Sequence, residues 1–484
     1  MPSFSSICAA SVSVVLLAAC GGDFGGAGDF GATPGGVKDM SLARELIAAG
    51  QVPPPAALLV EGMFAEHDLG LVGAPCDDTL CVRAAAGVAP DRDGAARGWI
   101  QVGLSSNVDP AQFVRPATTF IYVVDVSGSM GWGSGDDDRP TPGWLSRAVL
   151  HRLTDVLTPA DQVAMVTYGS DVETPLPLIS AADRARIHTA IERLGTDGST
   201  DMEAGLRRAY ELGRQARAAG RTNVRLVLFT DVQPNVGATS PSSFEQMAAE
   251  GAAAGVHLTV LALGLGVGPE VLQSMAQVRG ANAFGLSRSR DVAAFMADDY
   301  PWFTTPIAYD LSVAVRPSAG LTVAEPYGFP AGFDADPRLE VATVFLSKRR
   351  GALLASLAET ELGALDGLAA DVDLAWVDPA GVARSQPLHV ARDGALDERG
   401  QWFAQAAVAR TTALALLVSG MHDAAEAYGG DRDAAVAIMR GAAERFAADA
   451  AALAEPALDV EVELAEAMLA LMERGAPQGT LYGP

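Results

Sequence analysis

The sequence predicts a doubly wound, mostly parallel α/β domain inserted in, or followed by, an all-β module, with a helical region at the end. Three observations lead there. Between residues 118 and 303, four uninterrupted apolar runs rich in β-branched and aromatic residues alternate with helix-length segments, the pattern of strands covered by helices on both faces. On both sides of that span apolar and polar residues alternate instead, as in strands with one solvated face. Beyond residue 401 the chain is Ala-rich with apolar residues at helical spacing.

Taken in order, residues 41–49 read as a short helix with Ser41 placed to cap it, stopped by Pro53-Pro54-Pro55. A second helix is expected over 58–65, a linker over 90–94 and a half-buried strand over 99–104. The four apolar runs are 120–124, 163–168, 224–229 and 258–263, with helices expected over 144–156, 182–194, 202–217, 243–254 and 269–278. Short strands follow at 309–315, 321–324, 341–346, 353–358 and 372–377, punctuated by turns such as Asp378-Pro379-Ala380-Gly381. That texture predicts a β-sandwich-like module over 304–400, and the early strand at 99–104 is expected to pair with it. In the helical region 401–484, Ala406, Ala409, Ala413 and Leu416 begin an apolar stripe, Gly429-Gly430 interrupts it, and Asp431 is placed to cap the next helix.

The 484 residues are 49% hydrophobic, enough for a packed core, which excludes a wholly disordered chain. The net charge is −25, which argues against nucleic acid as a partner. Only two lysines occur, Lys38 and Lys348.

Residues 1–19 lack charged side chains and contain an apolar run at 12–19, too short to span a bilayer and suited to a signal segment. Leu17-Ala18-Ala19-Cys20 resembles the lipobox of bacterial lipoproteins, although no Lys or Arg precedes the run. The resemblance implies cleavage before Cys20, a lipid on its sulfur, and a protein held to a bacterial membrane in the cell envelope by that anchor alone. Residues 20–40 have the Gly-rich composition of a tether, and 41–117 form an N-terminal helical and strand region. Cys76 and Cys81 remain, five positions apart. In an oxidising compartment a disulfide is the better reading; a metal–thiolate site would need ligands the sequence does not pair with them.

The chemistry concentrates in Asp125-Val126-Ser127-Gly128-Ser129-Met130, directly after the first apolar run. One carboxylate and two hydroxyls stand at alternate positions, with a glycine to turn the chain. Hard divalent cations take oxygen ligands of this kind. Gly198-Ser199-Thr200 offers another hydroxyl ahead of a helix, and Thr230-Asp231 another carboxylate after the run 224–229. In an open α/β sheet, ligands bind beyond the carboxyl ends of strands where strand order reverses. If the strands ending at Asp125 and Asp231 are neighbours there, all five oxygens share one crevice.

Asp125, Ser127, Ser129, Thr200 and Asp231 resemble, in order and spacing, the metal-ion-dependent adhesion site of von Willebrand factor type A (vWA) domains, over about 118–303. The resemblance implies a Rossmann-like fold and Mg²⁺, or Mn²⁺ or Ca²⁺, held by the serines and Thr200, with the aspartates acting directly or through water. It also implies a coordination position left for an acidic residue of a protein ligand. A looser resemblance of Arg44-Glu45-Leu46, 51–55 and Val60-Glu61 to the region before this domain in vWA-containing bacterial lipoproteins bears on architecture. Val232 stands where many relatives have Gly, and Asp136-Asp137-Asp138 lengthen the loop after the first motif as a solvated surface or an acidic lip.

Enzyme chemistry finds little support. The histidines form no His-Glu-x-x-His motif, Ser127 lacks the glycine of a nucleophile elbow, and no phosphate-binding Gly-rich loop ends in Lys-Ser/Thr. A phosphorylated Asp125 would want a lysine, and 118–303 contains none. The expectation is a non-enzymatic, lipid-anchored protein that binds protein ligands through a divalent cation. An envelope scaffold with a structural metal and a metal-dependent hydrolase stand as alternatives.

Overall fold

The computed structural model describes residues 30–133, 139–196, 198–266, 268–330 and 338–479. The signal segment 1–19, Cys20, most of the tether and Asp136, Asp137 and Asp138 lie outside the described residues.

The chain opens with β1 (Phe30–Pro34), β2 (Gly36–Val37), α1 (Ser41–Ala48), α2 (Val60–Glu66), β3 (Cys81–Pro90) and β4 (Ala96–Ser106). The central unit follows: β5 (Thr119–Asp125), α3 (Pro142–Val156), β6 (Gln162–Tyr168), β7 (Val172–Ser180), α4 (Arg184–Glu192), α5 (Met202–Ala218), β8 (Val224–Thr230), α6 (Pro241–Ala253), β9 (Val256–Leu263), α7 (Pro269–Ala276), β10 (Asn282–Leu286) and α8 (Ser289–Ala294). Then come β11 (Pro306–Pro317), β12 (Leu321–Tyr327), β13 (Arg338–Ser347), β14 (Gly351–Glu359), β15 (Ala369–Val377), β16 (Ala383–Ala391) and β17 (Trp402–Phe403), and last α9 (Ala406–Tyr428), α10 (Arg432–Leu453) and α11 (Asp459–Glu473).

The central sheet has the order β2-β10-β9-β8-β5-β6-β7, parallel except where β7 runs antiparallel to β6. Its strands are apolar throughout because both faces are covered. Phe120, Tyr122 and Val124 of β5 face the core that holds Leu145, Val149 and Ile187 of α3 and α4. Ile121 and Val123 face the opposite core, with Leu206 of α5 and Phe244 of α6. α3, α5 and α6 begin where the sequence provides a cap. Thr141, Asp201 and Ser240 accept from Trp144, Ala204 and Ser243 N–H, and Pro142 and Pro241 occupy the first turn.

The β module is one antiparallel sheet of ten strands, ordered β12-β14-β4-β1-β13-β11-β15-β16, with β3 and then β17 added at β4. Val82, Ile100 and Leu353 from one part share a single apolar core with Val313, Val341 and Leu374 from the other, so the sheet folds over itself. The segment expected to join the later strands does so: Gly98 to Leu104 of β4 pair with Leu357 to Gly351 of β14. The α/β unit is therefore inserted in the β module. In the last region Asp431 caps α10, and α9 is buried on nearly all sides against α2, α10, β3 and β4. Among the described residues no helix is long and apolar enough to cross a membrane.

Two expectations need correction. Ser41 does not cap α1: it is the first helical residue, and the cap position is Met40, with no side-chain hydrogen bond. The tether assigned to 20–40 does not reach 40, because β1 pairs with β13 and β4, and β2 pairs with β10. Glycine in this stretch serves packing: a Cβ on Gly31 would lie 2.1 Å from the Arg349 carbonyl oxygen. Close approach of two backbones, not freedom, explains that residue.

Candidate metal centre

In the central sheet, the chain leaves β5 toward β6 on one side and returns to build β8, β9 and β10 on the other. The reversal lies between β5 and β8, whose register pairs Val124 with Phe229. Asp125 and the pair Thr230-Asp231 therefore finish side by side at the carboxyl ends, where such sheets bind ligands.

Three loops meet there. In the first, Asp125 Oδ1 accepts from Ser127 N–H at 2.8 Å, and Ser127 Oγ lies 3.2 Å from Ser129 Oγ. Buried Met130 anchors the short turn that presents the two hydroxyls. The second loop is held against it by Gly128 N–H donating to Gly198 O at 3.1 Å. Gly198 has φ +83°, and a Cβ there would meet Ser170 Oγ at 2.1 Å, so the position needs glycine. Thr200 follows, buried, with its N–H donating to Asn235 Oδ1 at 2.9 Å. That bond ties it to the third loop, which carries Asp231.

The third loop turns at Val232, whose φ of +54° is in the left-handed region. A β-branched residue is strained there. The departure from Gly thus falls at a position whose conformation favours glycine. Val232 N–H donates to Thr230 Oγ1 at 2.9 Å, and that hydroxyl donates to Asp125 Oδ2 at 3.0 Å. Thr230 and Asn235 were not anticipated as site residues. Their signal was position alone: Thr230 is the last residue of β8, and its side chain faces the end of β5.

Asp125, Ser127, Thr200 and Asp231 are each no more than 3% exposed. Burial, and then the Asp125 charge, push the Asp231 carboxyl up to about 7. Burial also raises Asp125, against hydrogen bonds from Ser127 and Thr230. Beneath them the Tyr168 phenol is raised by burial and then by Asp125. Asp231 Oδ1 is buried with no hydrogen-bond partner. Two buried carboxylates and several hydroxyls, with no Lys or Arg paired to either aspartate among the described residues, form an all-oxygen set that suits a hard divalent cation. Elsewhere, a disulfide joins Cys76 to Cys81.

The comparisons with known proteins bear on the fold of the central unit. Residues 120–233 match the model of the von Willebrand factor type A domain. The chain is 30% identical over 226 residues to the uncharacterized protein YfbK of Escherichia coli K12, covering 46% of this chain and 38% of that protein. It is 31% identical over 124 residues to the magnesium-chelatase 67 kDa subunit of Chlorobaculum tepidum, covering 25% of this chain and 18% of that one. The chain thus spans well under half the length of these relatives. Among solved structures, a von Willebrand factor type A protein from Catenulispora acidiphila superposes with a TM-score of 0.52 at 14% identity, over 80% of this chain and 89% of the other, a likeness of fold alone. The chain carries a von Willebrand factor type A domain, and its matched span contains Asp125, Ser127, Ser129, Thr200 and Asp231.

Proposed function

We propose that this domain binds a divalent cation, Mg²⁺ or else Mn²⁺ or Ca²⁺, and through it a protein ligand that donates an acidic side chain. The observation that carries the reading is Asp231 Oδ1, buried and making no hydrogen bond, in a carboxyl raised by burial and by the Asp125 charge although Ser129 and the Gln233 backbone also reach it. An acceptor in that position costs stability unless a cation meets it. Asp125 and Asp231 would supply negative charge, and Ser127, Ser129 and Thr200 neutral oxygens. A divalent ion retains positive charge in such a set, which a ligand carboxylate then meets.

The test is a thermal melt in millimolar Mg²⁺ and in chelator, with calorimetry. Stabilisation of about 2.7 kcal/mol is expected at a hundredfold excess over Kd, and Asp125→Ala should abolish it. Coincident melts and no heat of binding with Mg²⁺ or Mn²⁺ would dismiss the site.

The cell-envelope reading rests on the lipobox resemblance at Cys20. Cys20→Ala should give an unprocessed precursor or a protein released from the membrane fraction. Normal processing and full retention would count against an anchor.

One contact favours the second reading, an envelope scaffold with a structural metal. Glu45 of α1 pairs with Arg288 and, at 3.2 Å, with Arg139, which lies in the loop between the first motif and α3. Part of the site's surroundings is thus engaged within the chain. Capture of envelope proteins with and without chelator separates the two: partner binding that survives chelation favours the scaffold.

A further inference from the structure

A cavity of about 230 Å³ lies where four stretches of the chain meet. Leu58 and Glu61, at the entry to α2, line it from the N-terminal region, and Gln273 of α7 lines it from the vWA domain. Tyr327 and Phe329, at the end of β12, come from the β module, and His422 of α9 from the last helices. At about 30 Å³ for each, there is room for about seven waters, or for one small organic molecule. The cavity shares no residue with the metal centre.

Glu61 sets its chemistry. It is the one carboxylate in the lining, and no Lys or Arg lines the cavity with it. Burial pushes this carboxyl up to about 7, although the Gln273 side chain reaches it. Among the described residues no cationic side chain is paired with it. The Tyr327 hydroxyl donates to Glu325 instead, and His422 has the carboxylates of Asp423 and Glu426 close beside it. A carboxylate withdrawn from water without a counter-ion is costly, and a cation beside it removes that cost.

The rest of the lining decides which cation. A divalent metal ion takes about six oxygen ligands, and one carboxylate with one amide oxygen falls well short. An alkali ion would leave the apolar walls against water. An ammonium group on a carbon body meets both demands: its N–H groups make charge-assisted hydrogen bonds, and its carbons cover Leu58, Tyr327 and Phe329, residues of the kind that accept organic cations. We propose that this cavity binds a small organic cation, a protonated amine on a compact apolar body, with Glu61 as its counter-ion and the Gln273 side-chain oxygen accepting from a second N–H. Such a ligand touches all four parts of the chain at once. The proposal does not depend on a metal at Asp125 and Asp231.

The test uses the full chain in EDTA at about pH 8, above the Glu61 value of about 7. Saturation-transfer NMR compares cyclohexylammonium with its neutral and anionic counterparts, cyclohexanol and cyclohexanecarboxylate. The expected result is saturable binding of cyclohexylammonium, at least about tenfold tighter than cyclohexanol, and no binding of the carboxylate. A net charge of −25 gathers cations over the whole surface, so two variants localise the effect. Glu61→Gln should remove the preference for the cation over cyclohexanol. Gln273→Lys brings an ammonium to Glu61 from within the chain and should abolish binding, a result that serves even where Glu61→Gln does not fold. No saturable binding of cyclohexylammonium to the wild type would overturn the proposal. So would cyclohexanol binding as tightly, which would make the site an apolar cavity only, or cyclohexylammonium binding unchanged in either variant, which would place the amine elsewhere.

Discussion

Arg44 Nη2 reaches Glu461 Oε1 at 2.8 Å, across 417 positions of sequence, and so joins α1 to α11. Glu461 is nearly fully buried and also meets His67 Nε2 at 3.0 Å, while Arg44 has a second partner in Glu66. Burial opposes the charge on Glu461, but the contacts from His67 and Arg44 outweigh it and hold its carboxyl below the usual glutamate range.

Glu461→Ala should therefore cost about 3 kcal/mol in urea unfolding, at the low end for a broken buried pair because Glu66 still serves Arg44. A carboxyl depressed in the folded state adds stability that is fully present above its unfolded value, near 4.5, and is lost as pH falls through the folded value. The difference between wild type and variant should shrink on acidification below that point and be constant above it.

Asp231→Asn should stabilise the metal-free protein by about 1 kcal/mol, read as a higher melting temperature, since it removes one of two buried like charges. The same variant should lose most of the response to Mg²⁺. A variant less stable than wild type in chelator would show that the two carboxylates do not oppose each other in the empty crevice.

At Gly198, alanine would face both a left-handed φ and the Ser170 hydroxyl. Gly198→Ala should cost about 1–3 kcal/mol. It should also weaken the Mg²⁺ response, because the loop it displaces carries Thr200. A loss of stability with an unchanged Mg²⁺ response would place Thr200 outside the metal's reach.

The Cys76–Cys81 bond closes a short ring, and chain-entropy arguments give it about 2 kcal/mol. The double variant Cys76→Ser/Cys81→Ser should lose about that much in equilibrium unfolding while leaving the Mg²⁺ response intact, since the bond lies in the N-terminal region, before β5.

What could be read from sequence was what burial dictates. The run at 120–124 is apolar at every position because β5 has helices on both faces, and the same holds for 163–168, 224–229 and 258–263. The oxygen donors were legible because Asp125, Ser127 and Ser129 are close in sequence and the other two border regular elements, Thr200 just ahead of α5 and Asp231 just after β8. β7 was not expected: it is an edge strand, half exposed, and Pro175 and Pro177 break its pattern. β1 and β2 were hidden for another reason. Nothing in Gly31 or Gly36 prefers a strand, and the conformation comes from partners far along the chain in β13 and β10.

β1 and β2 are separated by Gly35 alone, yet one belongs to the folded-over antiparallel sheet and the other to the edge of the parallel one. Neither sheet is complete without this stretch, so the parts of the chain cannot melt as independent bodies. Calorimetric and van't Hoff enthalpies should approach one another despite the size of the protein. A fragment limited to 118–303 should leave β10 as a bare edge, open to pairing with another chain.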